Sequence, residues 1–366
     1  MRTTAEVLVV GGGLAGSAAA IVLARSGREV VLVERSAEPE NKVCGEFLSE
    51  EALKYLHALG VHAEALGAVP ISAVRIAGAQ GVSKRDLPFQ AMSLTRKRLD
   101  QEMLCAAIRA GAEVVRGTSV EGLEPGWRAR LDNGEKINAA AVFLATGKHD
   151  LRGWPRPPGR QNDLVAFKMY WRLAEAQAAE LQGHVELALY PGGYAGLQHV
   201  EGGAANLCCL IDRSELRRLG GSWEKLLEAM VTQCPHLRER LTGADALLAR
   251  PLAVAPIPYG MVRQRSGGLW YVGDQAAVIP SFTGDGMSIA LHTGVLGAMM
   301  YLSGEAAEDY QHRAHRDLWR QVGLASLISR GIVARPALLE AAVRFWPRTL
   351  QLAATGTRIS PKTMLV

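Results

Sequence analysis

The chain runs to 366 residues, 48% of them apolar and 21% charged, with a formal net charge of +5. That length exceeds one ordinary compact domain and supports a large core shared by two closely joined domains. The charges are scattered, without the basic block of a nucleic-acid binder, so no nucleic-acid partner is expected, and the mild positive excess suits an anionic ligand. Cys44, Cys105, Cys208, Cys209 and Cys234 are an odd set without C-x-x-C spacing, which argues against a disulfide framework and against a metal site.

In chain order, an apolar strand from Val7 to Val10 leads straight into Gly11-Gly12-Gly13-Leu14-Ala15-Gly16 and an Ala-rich helix. Glycines 11, 13 and 16 fit G-x-G-x-x-G: a tight turn, a bare backbone that lets a pyrophosphate approach, and close packing of helix on strand. The helix N-terminus faces such phosphates with partial positive charge. Past Gly27 a second strand, 29–33, ends at Glu34. That carboxylate can bind a ribose diol and would repel a 2′-phosphate, so the stretch predicts a site for NAD or FAD. No basic leader with a cleavable apolar segment precedes it, and a reducing cytoplasm is the expected setting.

A polar connection, 36–41, brings in Lys42-Val43-Cys44-Gly45-Glu46, then Ser49 as the cap of a helix over 50–56. Strand-like pieces at 71–77 and 87–94 leave the nucleotide domain. The chain returns at 95–100, which opens a helix over 101–110, followed by a parallel strand at 113–117. A hairpin is expected at Asp132-Asn133-Gly134, and a buried strand at 140–145 delivers Thr146-Gly147 to the sheet edge. The stretch 152–159, dense in Pro and Gly, marks a boundary. Strands at 165–173, 184–189, 194–200 and 204–211 and a helix at 223–234 form a second β-rich excursion. The chain crosses back at 269–274, and everything after Gly286 reads as helical, with breaks at Gly304, Pro336 and Pro347. Residues 289–302 read as a buried helix, since no uninterrupted apolar stretch is long enough to span a membrane.

A second glycine-bearing turn, Gly273-Asp274 through Pro280 to Gly284-Asp285-Gly286, also runs into a helix N-terminus. Asp274 can hold a ribityl hydroxyl, and the amides around Gly284 and Gly286 can meet negative charge developing on a flavin ring. With an R-x-x-[FL]-D pattern at Arg96, Leu99 and Asp100, these stretches resemble the FAD-dependent oxidoreductases of the aromatic-hydroxylase and geranylgeranyl-reductase superfamily. The resemblance implies an α/β fold: a Rossmann-type, GR2-like FAD-binding domain (1–68, 95–150 and 268–300), an interleaved β-sheet substrate domain (69–94 and 160–267) and a helical C-terminal region (301–366). It implies FAD contacts from Gly11, Gly13, Leu14, Ala15, Gly16, Glu34, Arg35, Cys44, Gly45, Arg96, Gly147, Gly273, Asp274, Pro280, Gly284, Asp285 and Gly286. NADH or NADPH would be a transient reductant.

Two departures lean toward the geranylgeranyl-reductase side. The D-G pair usual in aromatic hydroxylases is replaced by Ala145-Thr146-Gly147, and Ala277 and Ser288 stand where those enzymes tend to have histidine and asparagine. The Cys44-Gly45 pair resembles the reductase group, in which the cysteine lies over the active-site face of the flavin. Cys44 and Glu46 are therefore the candidate catalytic groups, Glu46 being equally readable as a solvated loop acid. The W-x-W-x-I-P motif of flavin halogenases is absent. Phe167, Met169, Trp171, Leu187, Leu189, Tyr190 and Tyr194 are the candidate pocket for a hydrophobic small-molecule substrate, aromatic, polyketide-like or isoprenoid.

Two chemistries follow from the resemblance. Monooxygenation through a flavin hydroperoxide is favoured narrowly, by fold analogy; hydride transfer to a polarised C=C bond is the alternative. A flavin-bearing electron carrier resting on a membrane is a third reading. It draws on Trp319, Leu324, Leu327, Ile328, Ile332, Val333, Leu338, Leu339, Phe345 and Trp346, interleaved with Arg330, Arg335, Arg344 and Arg348, although packing of this face against the protein is expected instead.

Overall fold

The computed structural model describes residues 2–345 and 356–366, with side chains from 343 to 355 outside that description. β1 (Thr4–Val10) is buried without interruption from Val7, as a parallel strand covered on both faces should be. It turns at Gly11 into α1 (Leu14–Arg25), an Ala-rich helix buried on nearly all sides. β2 (Val30–Glu34) lies parallel to β1, Val7 opposite Val30. The Ser49 hydroxyl accepts the Ala52 amide and caps α2 (Glu50–Ala58) as expected. β3 (Val69–Gly78) and β4 (Gly81–Ser93) pair antiparallel.

α3 (Arg96–Arg109) starts at Arg96 rather than at residue 101, because the Thr95 hydroxyl accepts the Arg98 amide at 3.3 Å and caps the turn there. β5 (Glu113–Arg116) extends the parallel set beside β2. The hairpin at Gly134 joins Arg128–Leu131 to β6 (Lys136–Leu144). β6 is continuous with the expected buried strand: its first residues alternate between solvent and core, and its last four are wholly buried.

β7 (Leu164–Arg172), β8 (His184–Tyr190), β9 (Gly193–His199) and β10 (Ala205–Asp212) are the four strands expected in the second excursion. The helix at Trp223–Gln233 is also present, but Glu175–Leu181, Arg213–Arg218 and Pro235–Leu241 are helices that periodicity did not reveal, being too short to show it. β11 (Trp270–Tyr271) returns to the first sheet, parallel to β6. α4 (Gly286–Leu302), α5 (Ala307–Ala334) and α6 (Pro336–Phe345) follow, divided near Gly304 and at Pro336. Pro347 lies outside the described residues, and the described tail from Thr357 is turn and coil, not helix.

The first sheet runs β5-β2-β1-β6 and continues antiparallel through Arg128–Leu131 and Val120–Glu124. The second contains β7, β10, β9, β8, β3 and β4, ending on the short strand Phe47–Leu48. Two helices clamp the first sheet. A Cβ on Gly294 of α4 would lie 2.3 Å from the Ala15 carbonyl oxygen of α1, and one on Gly16 would lie 2.0 Å from the Gly11 oxygen, so both contacts require glycine. The cleft opens where the parallel strands end, against one face of the second sheet.

Among the described residues no single helix is long and apolar enough to cross a membrane; α5 and Pro336–Ala342 reach that length and composition only as a pair bent by 113°. Of the amphipathic C-terminal set, Ile332 is buried while Trp319, Leu324, Leu327 and Leu338 are exposed. The side chains of Arg344, Phe345, Trp346 and Arg348 lie outside the described residues.

Candidate active site

At one end of the cleft β1 delivers Gly11 at φ 107°, with no room for a Cβ because the Ala145 carbonyl oxygen would be 2.5 Å away. Glu34, at the end of β2, is 8% exposed and held by two amides: Gly12 N–H donates to Oε2 at 2.7 Å and Ser36 N–H to Oε1 at 3.0 Å. Arg96 reaches the same turn, its Nη2 being 3.6 Å from where a Gly13 Cβ would sit. It is anchored through Nε to Asp100 at 2.8 Å, and Lys42 Nζ meets the other Asp100 oxygen at 2.7 Å. Burial alone would raise the Asp100 pKa, but Arg96 and Lys42 outweigh it and hold the carboxylate below its ordinary value. A fixed acid, a bare backbone and a retained cation thus converge on one small volume.

At the other end Gly284 takes φ 76°, and a Cβ there would meet the Phe47 ring at 2.5 Å. Gly286 has nothing within 4 Å of its Cβ position and lines the cleft, so the first turn of α4, whose amides have no partner within the helix, borders that space. Thr146, in the wall between, has a buried hydroxyl with no partner among the described residues.

The cleft holds about 610 Å³. It gathers, from the sequence-predicted set, Gly11, Gly13, Leu14, Ala15, Glu34, Arg35, Cys44, Gly45, Glu46, Arg96, Gly147, Gly273, Asp274, Gly284 and Gly286. Three of the expected flavin contacts do not line it. Gly16 serves the helix-strand contact described above, and Pro280 is buried behind the wall. Asp285 is a correction: burial first, then the Glu51 carboxylate, push its pKa well up, and both its oxygens lack partners among the described residues, so it belongs to the interior on the Glu51 and Arg358 side.

These features fit an extended dinucleotide with a ring at its far end. An FAD binding domain family matches residues 4–150. The menaquinone reductase of Mycolicibacterium smegmatis is 28% identical over 327 residues, covering 83% of this chain and 78% of that protein. Digeranylgeranylglycerophospholipid reductase 2 of Methanosphaera stadtmanae is 26% identical over 326 residues, covering 83% and 79%.

Residues 4–150 thus carry an FAD-binding domain, and the chain as a whole is similar to FAD-dependent oxidoreductases. Solved structures share its fold. The flavin-dependent brominase Bmp2 superposes with a TM-score of 0.82 at 15% identity over 98% of this chain and 95% of that one. PqsL of Pseudomonas aeruginosa, a probable FAD-dependent monooxygenase, gives 0.71 at 18% identity over 92% and 99%.

In this flavoprotein the loop carrying Cys44 lies on the second sheet, and four side chains the sequence reading did not single out hold it there. Lys168 Nζ donates to the Lys42 carbonyl at 3.1 Å, Gln198 Nε2 to the Gly45 carbonyl at 3.0 Å, and Asn206 Nδ2 to the Cys44 and Gly45 carbonyls at 3.1 and 2.9 Å. The fourth, Tyr170, donates its hydroxyl to Glu46 Oε1 at 2.7 Å. Glu46 is not a solvated acid. It is wholly buried, takes φ 62°, and its Oε1 meets Lys168 Nζ at 2.5 Å and the Arg96 amide at 2.8 Å. Burial raises its pKa, and Lys168 with these donors offsets that only in part.

The register of the second sheet also corrects the expected substrate pocket. Ala166, Lys168 and Tyr170 of β7 pair with Leu210, Cys208 and Asn206 of β10, and this face meets the Cys44 loop. The period of two therefore turns Phe167, Met169, Trp171 and Tyr190 to the opposite face, where they pack with Leu226, Met230 and Leu237 from the covering helices. Leu187, Leu189 and Tyr194 share the cleft-side face but sit behind the lining. The lining beyond Cys44 is instead Leu252, Ala253, Val254, Ile257, Tyr259, Val278, Ile279 and Ser281. The available signal was a polar residue at every second position of an otherwise apolar strand, as at Lys168 and Tyr170.

The rim is cationic. Arg35 Nη2 lies 2.9 Å from His149 Nε2, and burial, then Arg35, Arg156, Lys148 and Lys42, lower the His149 pKa. Such a rim suits the phosphates of a dinucleotide.

Proposed function

We propose that this oxidoreductase is an FAD-dependent reductase, adding hydride and a proton across a polarised C=C bond of a hydrophobic small molecule. The observation that carries the reading is the position of Cys44. Its thiol is in the cleft wall, accepts the Glu46 amide at 3.3 Å, and belongs to a loop whose backbone is bonded by Lys168, Gln198 and Asn206. A thiol so fixed can hold and return a proton at one place. The two reductase relatives, each aligned over 83% of the chain, support the same chemistry.

Glu34, the glycine turn and Arg96 would hold the adenosine and pyrophosphate end of FAD, and the first turn of α4 its ring. FAD bound there supplies the hydride. The apolar wall from Leu252 to Ile279 excludes water from the reacting carbons. NADH or NADPH is proposed as the electron source. Hydroxylation is the competing chemistry, supported at the level of fold by the likeness to a probable FAD-dependent monooxygenase.

The test is turnover of FAD-loaded protein, reduced chemically in the absence of oxygen, with a short-chain menaquinone. Flavin reoxidation is expected with a product that stays heavier by two hydrogen atoms after its quinone ring has been reoxidised in air, with turnover strongly reduced in Cys44→Ala at unchanged flavin content. A product that forms only when oxygen is admitted, and is heavier by one oxygen atom, overturns the reading.

A further inference from the structure

One stretch of the cleft wall is apolar through Leu252, Val254, Ile257 and Val278, with two hydroxyl-bearing residues, Tyr259 and Ser281, in the same lining. Tyr259 is held firmly. Its carbonyl accepts the Gln161 amide at 3.0 Å, its own amide donates to the Ile257 carbonyl at 3.0 Å, and Gly260 N–H donates to the Val278 carbonyl at 2.9 Å. Ser281 lies three residues before Gly284, so the hydroxyl pair adjoins the helix terminus assigned to the ring.

Behind the pair stands Tyr194. The Phe282 amide donates to its hydroxyl at 3.1 Å, and that hydroxyl lies 3.0 Å from Ser281 Oγ, a pair in which either oxygen can donate. The Ser281 hydroxyl and amide also oppose the rise that burial imposes on the Tyr259 pKa. With Tyr194 donating to Ser281, the Tyr259 hydroxyl keeps its own proton for the cleft that it lines. Burial pushes the Tyr259 pKa up to about 12, so the group carries that proton throughout the neutral range.

We propose that Tyr259 is the specificity-determining anchor of the substrate, donating its hydroxyl proton to a carbonyl or phenol oxygen, with Ser281 and Tyr194 as positioning residues behind it. The substrate class narrows accordingly, from any hydrophobic molecule to one carrying an oxygen function beside the reacting carbons. A plain hydrocarbon olefin would leave the donor buried and unpaired, which a site built on hydrogen bonding rejects strongly. The same contact draws electron density from a conjugated C=C bond, which is the polarisation hydride addition requires. The inference rests on the flavin reading of the cleft.

The test uses the FAD-loaded protein and follows its flavin absorbance on titration with 1-naphthol, 1,4-naphthoquinone and naphthalene. Naphthol and naphthoquinone are expected to bind at least about tenfold more tightly than naphthalene, the worth of one hydrogen bond in a dry pocket. Tyr259→Phe should remove that margin while leaving naphthalene binding and flavin content unchanged. Ser281→Ala, which disturbs the fold less, should reduce the margin about threefold. A flavin-loaded protein that binds the three probes alike, or a Tyr259→Phe or Ser281→Ala variant that keeps the full margin, overturns the anchor and leaves the flavin reading standing. A protein that takes up no flavin overturns both.

Discussion

Lys168 on β7 and Glu46 on the Cys44 loop form an ion pair of 2.5 Å with both side chains fully shielded from solvent. The pair joins the second sheet to the loop that lines the cleft, and the Lys168 ammonium also lies 4.4 Å from the Tyr170 ring centre. Removing one partner strands the other charge in the interior, a cost of about 3–5 kcal/mol. Lys168→Met should therefore lower stability in denaturant melts by that order and release the loop. The double variant Lys168→Met/Glu46→Gln should recover most of the stability but not the turnover, because the Lys42 carbonyl still loses its donor.

The Glu34 carboxylate is oriented before any ligand arrives, by the amides of Gly12 and Ser36. Glu34→Ala should weaken flavin binding by about 10–100-fold, the range of a charge-assisted hydrogen bond, and Glu34→Gln by less. Fluorescence of flavin released on dilution measures it.

Helix α4 meets α1 through Gly294, whose Cβ position lies 2.3 Å from the Ala15 carbonyl oxygen, whereas Gly331 on α5 has nothing within 4 Å. Gly294→Ala should cost about 1–3 kcal/mol by overpacking. Gly331→Ala should be neutral or stabilise by up to about 1 kcal/mol through helix propensity. Thermal melts of the two variants, run side by side, separate packing from propensity.

His292, fully buried on α4, is bonded through Nδ1 to the Tyr55 hydroxyl at 2.7 Å, with Asp317 at 3.9 Å and Arg313 beyond. Burial lowers its pKa to about 4, which the Asp317 carboxylate opposes only in part. Between that value and an ordinary histidine pKa of about 6.5 the unfolded chain binds the extra proton, so stability is complete above pH ~6.5 and falls as pH drops toward ~4. The loss is of the order of 3 kcal/mol. Denaturant midpoints across that interval should decline in the native protein and flatten in His292→Asn.

Some of this protein is written in local sequence. Val7 to Glu34 specifies strand, glycine turn, helix and acidic strand end because each step depends on neighbours in the chain: steric freedom at Gly11, close approach at Gly16, and an unbroken apolar run that needs cover on both faces. Gly273 to Gly286 is legible for the same reason. Both turns line the cleft where expected. Pro280 and Asp285 do not, because a motif specifies the path of the backbone and leaves the direction of each side chain to its surroundings.

Tertiary structure decided the rest. Which face of β7 looks at the cleft depends on its pairing with β10, a contact 34 to 48 residues away in the chain, and a shift of one residue would have turned Phe167 inward and Lys168 outward. The sequence by itself determined a dinucleotide fold with a second glycine-bearing helix terminus. Only the folded chain could show that Glu46 is buried against Lys168, that Cys44 is held by donors from three strands, and that Tyr259 rather than Tyr190 reaches the cleft, since each of these depends on which distant strands pair and in what register.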